Sequence, residues 1–252
     1  MTRHLVLPDT QIKYGEDLTF LTWIGKYIVD KKPDVIIHLG DFADMSSLSS
    51  YDIGKKSFEG KRYVKDIDAA KTGMALLLAP LVDFNILKRK NKEKQYKPRL
   101  VLTLGNHEHR IERAIENDPK LEGLISYADL PYTDWEVHKF LSPVIIDNVA
   151  YCHYYPSGVL GRPITSASCM VSKLHMSCIA GHQQGRQVAY GKKADGTNIT
   201  CIIAGSCYEH QEGYLNIQTN NHWRGIIMLN EVQDGSFDEM FVSLKYLKEK
   251  YG

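Results

Sequence analysis

The chain has 252 residues, 43% of them hydrophobic and 24% charged, an ordinary globular composition with length enough to bury a substantial core. Thirty-one Lys and Arg balance thirty Asp and Glu. That balance argues against a protein that holds nucleic acid mainly by bulk positive charge, although a local basic groove stays open. The start, MTRHLVLPDTQ, has no secretory apolar core or small-residue cleavage pattern. No apolar stretch approaches the roughly 18–20 residues of a membrane span, so the expectation is a soluble intracellular protein with no membrane partner. The five cysteines are odd in number and form no C-x-x-C, which reads as buried free thiols in a reducing compartment.

Residues 3–7 read as a buried strand ending at Pro8-Asp9. Leu18, Leu21, Ile24, Ile28 and Val29 recur at helical spacing. Residues 35–39 form a second strand ending at Gly40-Asp41, followed by a Ser-, Gly- and Lys-rich loop over 43–62. A second helix spans 64–87, interrupted or kinked near Pro80. The basic run at 88–99 reads as a solvated helix end and loop. Residues 99–104 make a third strand, again ending in Gly-Asn, and the segment HRIERAIEND opens a helix. Three successive strands thus deliver polar residues at their C-terminal ends, the edge where open α/β sheets collect ligands. The second half is strand-rich, with strands at 135–140, 144–146, 149–154, 176–180, 198–204, 223–232 and 239–246, and a helix within 165–174. We expect a single domain over 1–252, since no repeat or linker divides the chain.

Five short segments carry the chemistry. They are Asp9-Thr10-Gln11, Gly40-Asp41-Phe42-Ala43-Asp44, Gly105-Asn106-His107-Glu108, His153 and Gly181-His182-Gln183-Gln184. Each offers an oxygen or imidazole donor at or just after an apolar strand. In order and context they resemble the calcineurin-like metallophosphoesterase superfamily, with its D-x-H, G-D-x-x-D, G-N-H-[DE], lone His and G-H-x-H pattern. Within it the chain is most similar to small bacterial and phage metallophosphoesterases related to DNA-repair exonucleases.

The resemblance implies an α/β fold in which two mixed β-sheets pack face to face as a sandwich with helices outside. It implies a location in the cytoplasm of a bacterium or a phage-infected cell. It also implies two divalent metal ions. Asp41 would bridge them; Asp9, Gln11 and Gln184 would complete the first shell, and Asn106, His153 and His182 the second. His107 would act as general acid, oriented by Asp44. Two cations about 3.5–4 Å apart neutralise a phosphate ester and turn bound water into hydroxide near neutral pH, so this donor set suits metal-activated hydroxide attack.

The chain departs from the family at two positions. Gln11 and Gln184 stand where the pattern has His, and both belong to the first ion. An all-oxygen shell favours Mn²⁺, with Mg²⁺, Fe or Ni as alternatives, and binds more weakly than imidazole. That site is therefore expected to be weak or empty, in the latter case with the Gln pair merely hydrogen-bonding Asp9.

Arg110, Arg162 and Arg186 are candidates for phosphate contact. Tyr151 and Tyr155 share strand parity with His153, so one could stack on a base, although core packing is the commoner fate. His4, His138, His210 and His222 read as partly exposed positions. The expected function is a metal-dependent phosphoric ester hydrolase acting on a phosphodiester, as a nuclease or nucleotide phosphodiesterase. The alternatives are a phosphomonoesterase on a small metabolite or phosphoprotein, and a weakened phosphate- or nucleic-acid-binding module.

Overall fold

The computed structural model describes residues 1–211 and 222–252. The first half runs β1 (Thr2–Leu7), α1 (Thr19–Lys31), β2 (Val35–His38), α2 (Tyr63–Lys90), β3 (Arg99–Thr103), α3 (Arg110–Asn117) and β4 (Glu136–His138). Next come β5 (Val144–Ile146), β6 (Val149–Cys152), β7 (Pro156–Ser157), β8 (Arg162–Pro163), α4 (Ala167–Leu174) and β9 (Cys178–Ala180). The chain closes with β10 (Arg186–Lys192), β11 (Asn198–Ala204), β12 (Gly225–Gln233), β13 (Ser236–Ser243) and α5 (Leu244–Tyr251).

One sheet has the order β13-β12-β1-β2-β3-β4, and the second β10-β11-β9-β6-β5. Strands β1 to β4 pair in parallel, because helical crossovers return the chain to the same end each time. Residue parity then sorts the core. Leu5 and Leu7 of β1 pack with Leu21, Ile24 and Leu77 of α1 and α2, whereas Val6 packs with Tyr151, Ile179 and Ile202 of the second sheet. On the far side of the second sheet, Cys152, Cys178, Cys201 and Ile203 pack under Met170 of α4. The result is helices, sheet, sheet, helix: two mixed sheets face to face with helices outside.

Several elements differ from the sequence reading. Helix α2 is not interrupted at Pro80. Its neighbour Gly25 leaves room for the proline, because a Cβ there would lie 2.8 Å from Pro80 Cγ. By length and composition alone α2 also meets the requirement for a membrane span, and most of the qualifying stretch is not buried. Strand β4 keeps only three residues of the expected 135–140. Strand β10, unforeseen, pairs antiparallel with β11. The expected strand 239–246 ends at Ser243, whose Oγ accepts the Tyr246 N–H at 3.1 Å and starts α5. The five cysteines are free thiols, four of them buried.

His4 is wholly buried rather than partly exposed. It sits 3.1 Å from Asp147 Oδ2 through Nε2 and 2.7 Å from the Tyr151 hydroxyl through Nδ1. Donation from Nε2–H to the carboxylate leaves Nδ1 to accept from the tyrosine, so this neutral tautomer ties β1 to β6 across the sandwich.

Candidate active site

The C-terminal ends of β1, β2 and β3 and of β6 and β9 meet at one edge of the sandwich. The loops leaving them carry Asp9, Asp41, Asn106, His153 and His182. Four non-glycine residues in three of these loops lie in the left-handed region: Gln11 at φ 41°, Asp41 at 50°, His182 at 65° and Gln184 at 56°. Such backbone is costly for most residues and persists only where the surroundings fix it. Glycines make the close approach possible. A Cβ on Gly105 would lie 2.1 Å from Asp41 Oδ1, and one on Gly181 2.4 Å from Asp9 Oδ1.

Asp41 Oδ1 accepts the His107 N–H at 2.9 Å, while its Oδ2 lies 3.3 Å from His153 Nε2. His153 Nδ1 donates to the Leu39 carbonyl at 2.9 Å, which turns Nε2 into the site. Asn106 Oδ1 is 2.9 Å from that Nε2. A ligand atom from each of Asp41, His153 and His182 fits within 4.8 Å of the others. Burial drives the His182 imidazole down to about 4, with His153 adding to the effect. For His153, burial is outweighed by Asp41, which pulls the ring up to about 9. For Asp41, burial is overcome by the imidazoles of His107 and His153, which hold its carboxyl well below the usual range.

The other half of the edge is acidic and unanswered. Asp9 Oδ1 accepts the His182 N–H at 3.0 Å. Asp9 Oδ2 and Gln11 Oε1 are buried with no hydrogen-bond partner among the described residues. Burial pushes the Asp9 carboxyl up to about 7, with His153 opposing. A buried carboxylate oxygen and a buried amide oxygen, both orphaned and two residues apart on the loop after β1, are what a hard cation would satisfy, so the donor set fits a metal ion. The arrangement in which the Gln pair merely caps Asp9 is not what is seen. Gln184 instead accepts from the Tyr208 hydroxyl through Oε1 at 2.6 Å.

His107 lies beside this group. Its Nδ1 is 2.7 Å from Asp44 Oδ1, and its Nε2 is 3.7 Å from Asp41 Oδ2 and 3.2 Å from Arg110 Nη2. Burial lowers the ring's proton affinity, but Asp41 and Asp44 more than reverse this and raise it. Burial of Asp44 is itself outweighed by His107, Lys13 and Arg110, which hold it down to about 2.

Two residues assigned no role from sequence hold the loops together. Glu108 Oε2 accepts the N–H groups of Asp41 and Gly105, both at 2.9 Å; its Oε1 accepts from Ala43 N–H and the Tyr132 hydroxyl, both at 3.0 Å. His38 Nδ1 accepts the Gly40 N–H at 3.2 Å, leaving Nε2–H for Thr10 Oγ1 at 3.2 Å. Burial lowers His38 to about 3, as this neutral pairing requires. Glu108 was visible as the last letter of G-N-H-E, whereas nothing in the sequence marked His38.

The family model for calcineurin-like phosphoesterases matches residues 2–183. The chain belongs to that family. This phosphoesterase matches no curated protein. Among solved structures it is similar to a conserved uncharacterized protein, described as a predicted phosphoesterase, from Streptococcus pneumoniae TIGR4. The identity is 10%, the TM-score 0.37, and the match covers 97% of this chain and 90% of that one. It is also similar to Yfce, a phosphoesterase from E. coli, at 12% identity and TM-score 0.41, covering 96% of this chain and 99% of that one.

The remaining sequence candidates fall unevenly around the phosphoesterase site. Arg110 reaches it, donating to the Asp44 carbonyl at 2.8 Å. Arg162 is exposed in the β7–β8 hairpin. The Arg186 guanidinium stacks over Trp223 and Phe241, 5.0 and 4.8 Å from the ring centroids. Tyr151 is locked in the core, and Tyr155 is buried. Tyr154, off their parity, is the tyrosine beside the site, 4.9 Å from His182. The reason is that β6 stops at Cys152, so strand alternation no longer applies beyond it.

Proposed function

We propose that the chain hydrolyses phosphodiesters, as a nuclease or nucleotide phosphodiesterase, with His107 as proton donor to the leaving oxygen. The observation that carries the reading is the His107–Asp44 pair set against Asp41, with Nε2 facing the site. In this reading Asp9, Gln11, Asp41 and Gln184 hold one ion, and Asp41, Asn106, His153 and His182 the other. When bound, the ions neutralise phosphate charge and lower the pKa of water. By accepting from Nδ1–H, Asp44 favours the doubly protonated His107 ring, whose Nε2–H is the proton to be transferred, and Arg110 supplies a cation for a non-bridging oxygen.

The preference for diesters rests on the rim. Lys13 lies 3.7 Å from Asp44 Oδ2, Tyr14 beside it is exposed, and Lys65 Nζ stands 4.7 Å from the Tyr14 ring centroid. Basic groups interleaved with an open aromatic suit a phosphodiester backbone better than a closed monoester pocket.

The test is hydrolysis of bis-p-nitrophenyl phosphate, p-nitrophenyl phosphate and single-stranded DNA, with Mn²⁺ and with EDTA. Diester turnover above monoester turnover, abolished by EDTA, supports the proposal. Faster monoester turnover overturns the substrate class, and no turnover with any metal overturns the activity. Zinc should be a poor activator, because the shell proposed for the first ion contains only oxygen.

A further inference from the structure

Helix α2 has two faces. Ile67, Ala70, Gly73, Met74, Leu77 and Leu81 are buried against the core. On the opposite side Thr72, Ala75, Ala79, Val82 and Ile86 are all exposed, although four of the five are apolar. Their spacing is 3-4-3-4, the seam of a helix that packs on another helix. Thr72 fits the seam too: its hydroxyl is satisfied within the helix, donating to the Asp68 carbonyl at 2.8 Å. A water-facing side of α2 would need no such stripe.

We propose that this stripe is the contact surface for a second copy of the chain, with the two α2 helices antiparallel. Charge complementarity selects both the partner and the direction. Asp68 and Lys71 flank the start of the stripe, and Asp83, Arg89 and Lys90 its end. None of these five makes an ion pair among the described residues. By contrast, Lys88 beside them is tied to Glu93. A parallel pairing would set Asp68 against Asp68 and the Arg89-Lys90 cluster against itself. An antiparallel pairing about residues 77–79 sets Asp68, which lies in line with the stripe, against Arg89 and Lys90 of the other helix, twice by symmetry. The same carboxylates argue against an anionic lipid surface as the occupant.

Ala75 and Ala79 near the two-fold axis let the helices approach to about 8 Å. The stripe from residue 68 to 90 is about 33 Å long at 1.5 Å per residue. A contact of that length buries on the order of 1,000 Å² in total, the lower bound for a specific interface. The dimer is therefore a weak one, with a dissociation constant on the order of micromolar.

Sedimentation equilibrium of the full chain from about 1 to 100 µM tests this. Wild type should move from monomer to dimer across that range. Val82→Arg should stay monomeric with wild-type activity, since the residue is exposed and away from the site. Asp68→Lys should weaken the dimer about tenfold, and adding Lys90→Asp should restore it. Ala79→Cys should cross-link to itself with a short bis-maleimide where the wild type does not. A monomer at every concentration overturns the proposal, as does a dimer that Val82→Arg leaves intact. It is equally overturned by a monomer that sediments with phosphatidylserine vesicles and loses that binding in Val82→Arg.

Discussion

His107 is held at Nδ1 by Asp44 and crowded at Nε2 by Arg110, and both contacts bear on its proposed proton transfer. A departing alkoxide needs a proton most when its pKa is high, and p-nitrophenolate hardly needs one. General acid catalysis contributes about 10²–10⁴-fold. His107→Ala should therefore lower turnover of a dinucleotide by about that factor and of a p-nitrophenyl diester by much less. Metal content, read by elemental analysis, should be unchanged. Equal losses on both substrates would remove the general-acid role. Arg110 opposes protonation of His107. A general acid works while it is protonated, so Arg110→Ala should shift the alkaline limb of kcat/KM to higher pH. A limb that stays in place means another group titrates there. At this scale the sequence showed which donors converge but not what steadies them. Glu108 answers four donors drawn from four residues, and Tyr208 reaches Gln184 from 24 positions away; contacts like these leave no periodic trace.

Strands and helices were legible where burial is one-sided or total. Strands β1, β2 and β3 are short apolar runs ending in Asp or Asn, and α1 keeps a clean apolar stripe. Strand β10 escaped because its sequence, RQVAYGK, is half-exposed or exposed throughout, so no face is marked by burial. Helix α5 escaped because the apolar run of β13 continues through Leu244 and hides the Ser243 cap. The α1–α2 contact offers a test in which two effects compete. An alanine at Gly25 gains about 1 kcal/mol of helix propensity. Its Cβ would also lie 2.4 Å from the Leu77 carbonyl oxygen, and overpacking of that kind costs about 1–3 kcal/mol. Crowding against backbone should win, since the carbonyl has no rotamer to yield. Gly25→Ala should lower the urea midpoint at unchanged slope; a raised midpoint would show that the helices slide apart freely.

Across the whole molecule, His38 links site geometry to acid stability. Its pKa is depressed from 6.5 to about 3. A depressed value means a contribution that is present above 6.5 and lost as pH falls toward 3, because the unfolded chain takes up the proton first. The slope approaches 1.4 kcal/mol per pH unit, about one proton's worth, across that window. His38→Gln can keep both hydrogen bonds without titrating. In EDTA, the difference in unfolding free energy between wild type and His38→Gln should therefore shrink or reverse as pH falls from 6.5 to 4. A constant difference would mean that His38 is already charged in the native state. The layered architecture was legible because the first half alternates strand and helix and the second half does not. The placement of α2's outer side was not, since a stripe of Ala, Val and Ile reads the same whether it meets a core or another molecule.

The left-handed turns have a consequence for how such a site diversifies. A backbone conformation is inherited by every residue type that later occupies the position. Asn, Asp and His enter the left-handed region more readily than Gln does. The loops at Gln11 and Gln184 thus behave as sockets shaped before the side chain is chosen, and imidazole is at least as well suited to them as the amide present. A lineage could exchange one metal preference for another by single steps at these sockets without disturbing the fold. Gln11→His with Gln184→His should therefore unfold at the same denaturant concentration as wild type, while titration calorimetry registers tighter binding of Zn²⁺. Loss of stability in the double variant would show that the turns were tuned to glutamine. Unchanged zinc affinity would show that the two sockets do not face a common ion.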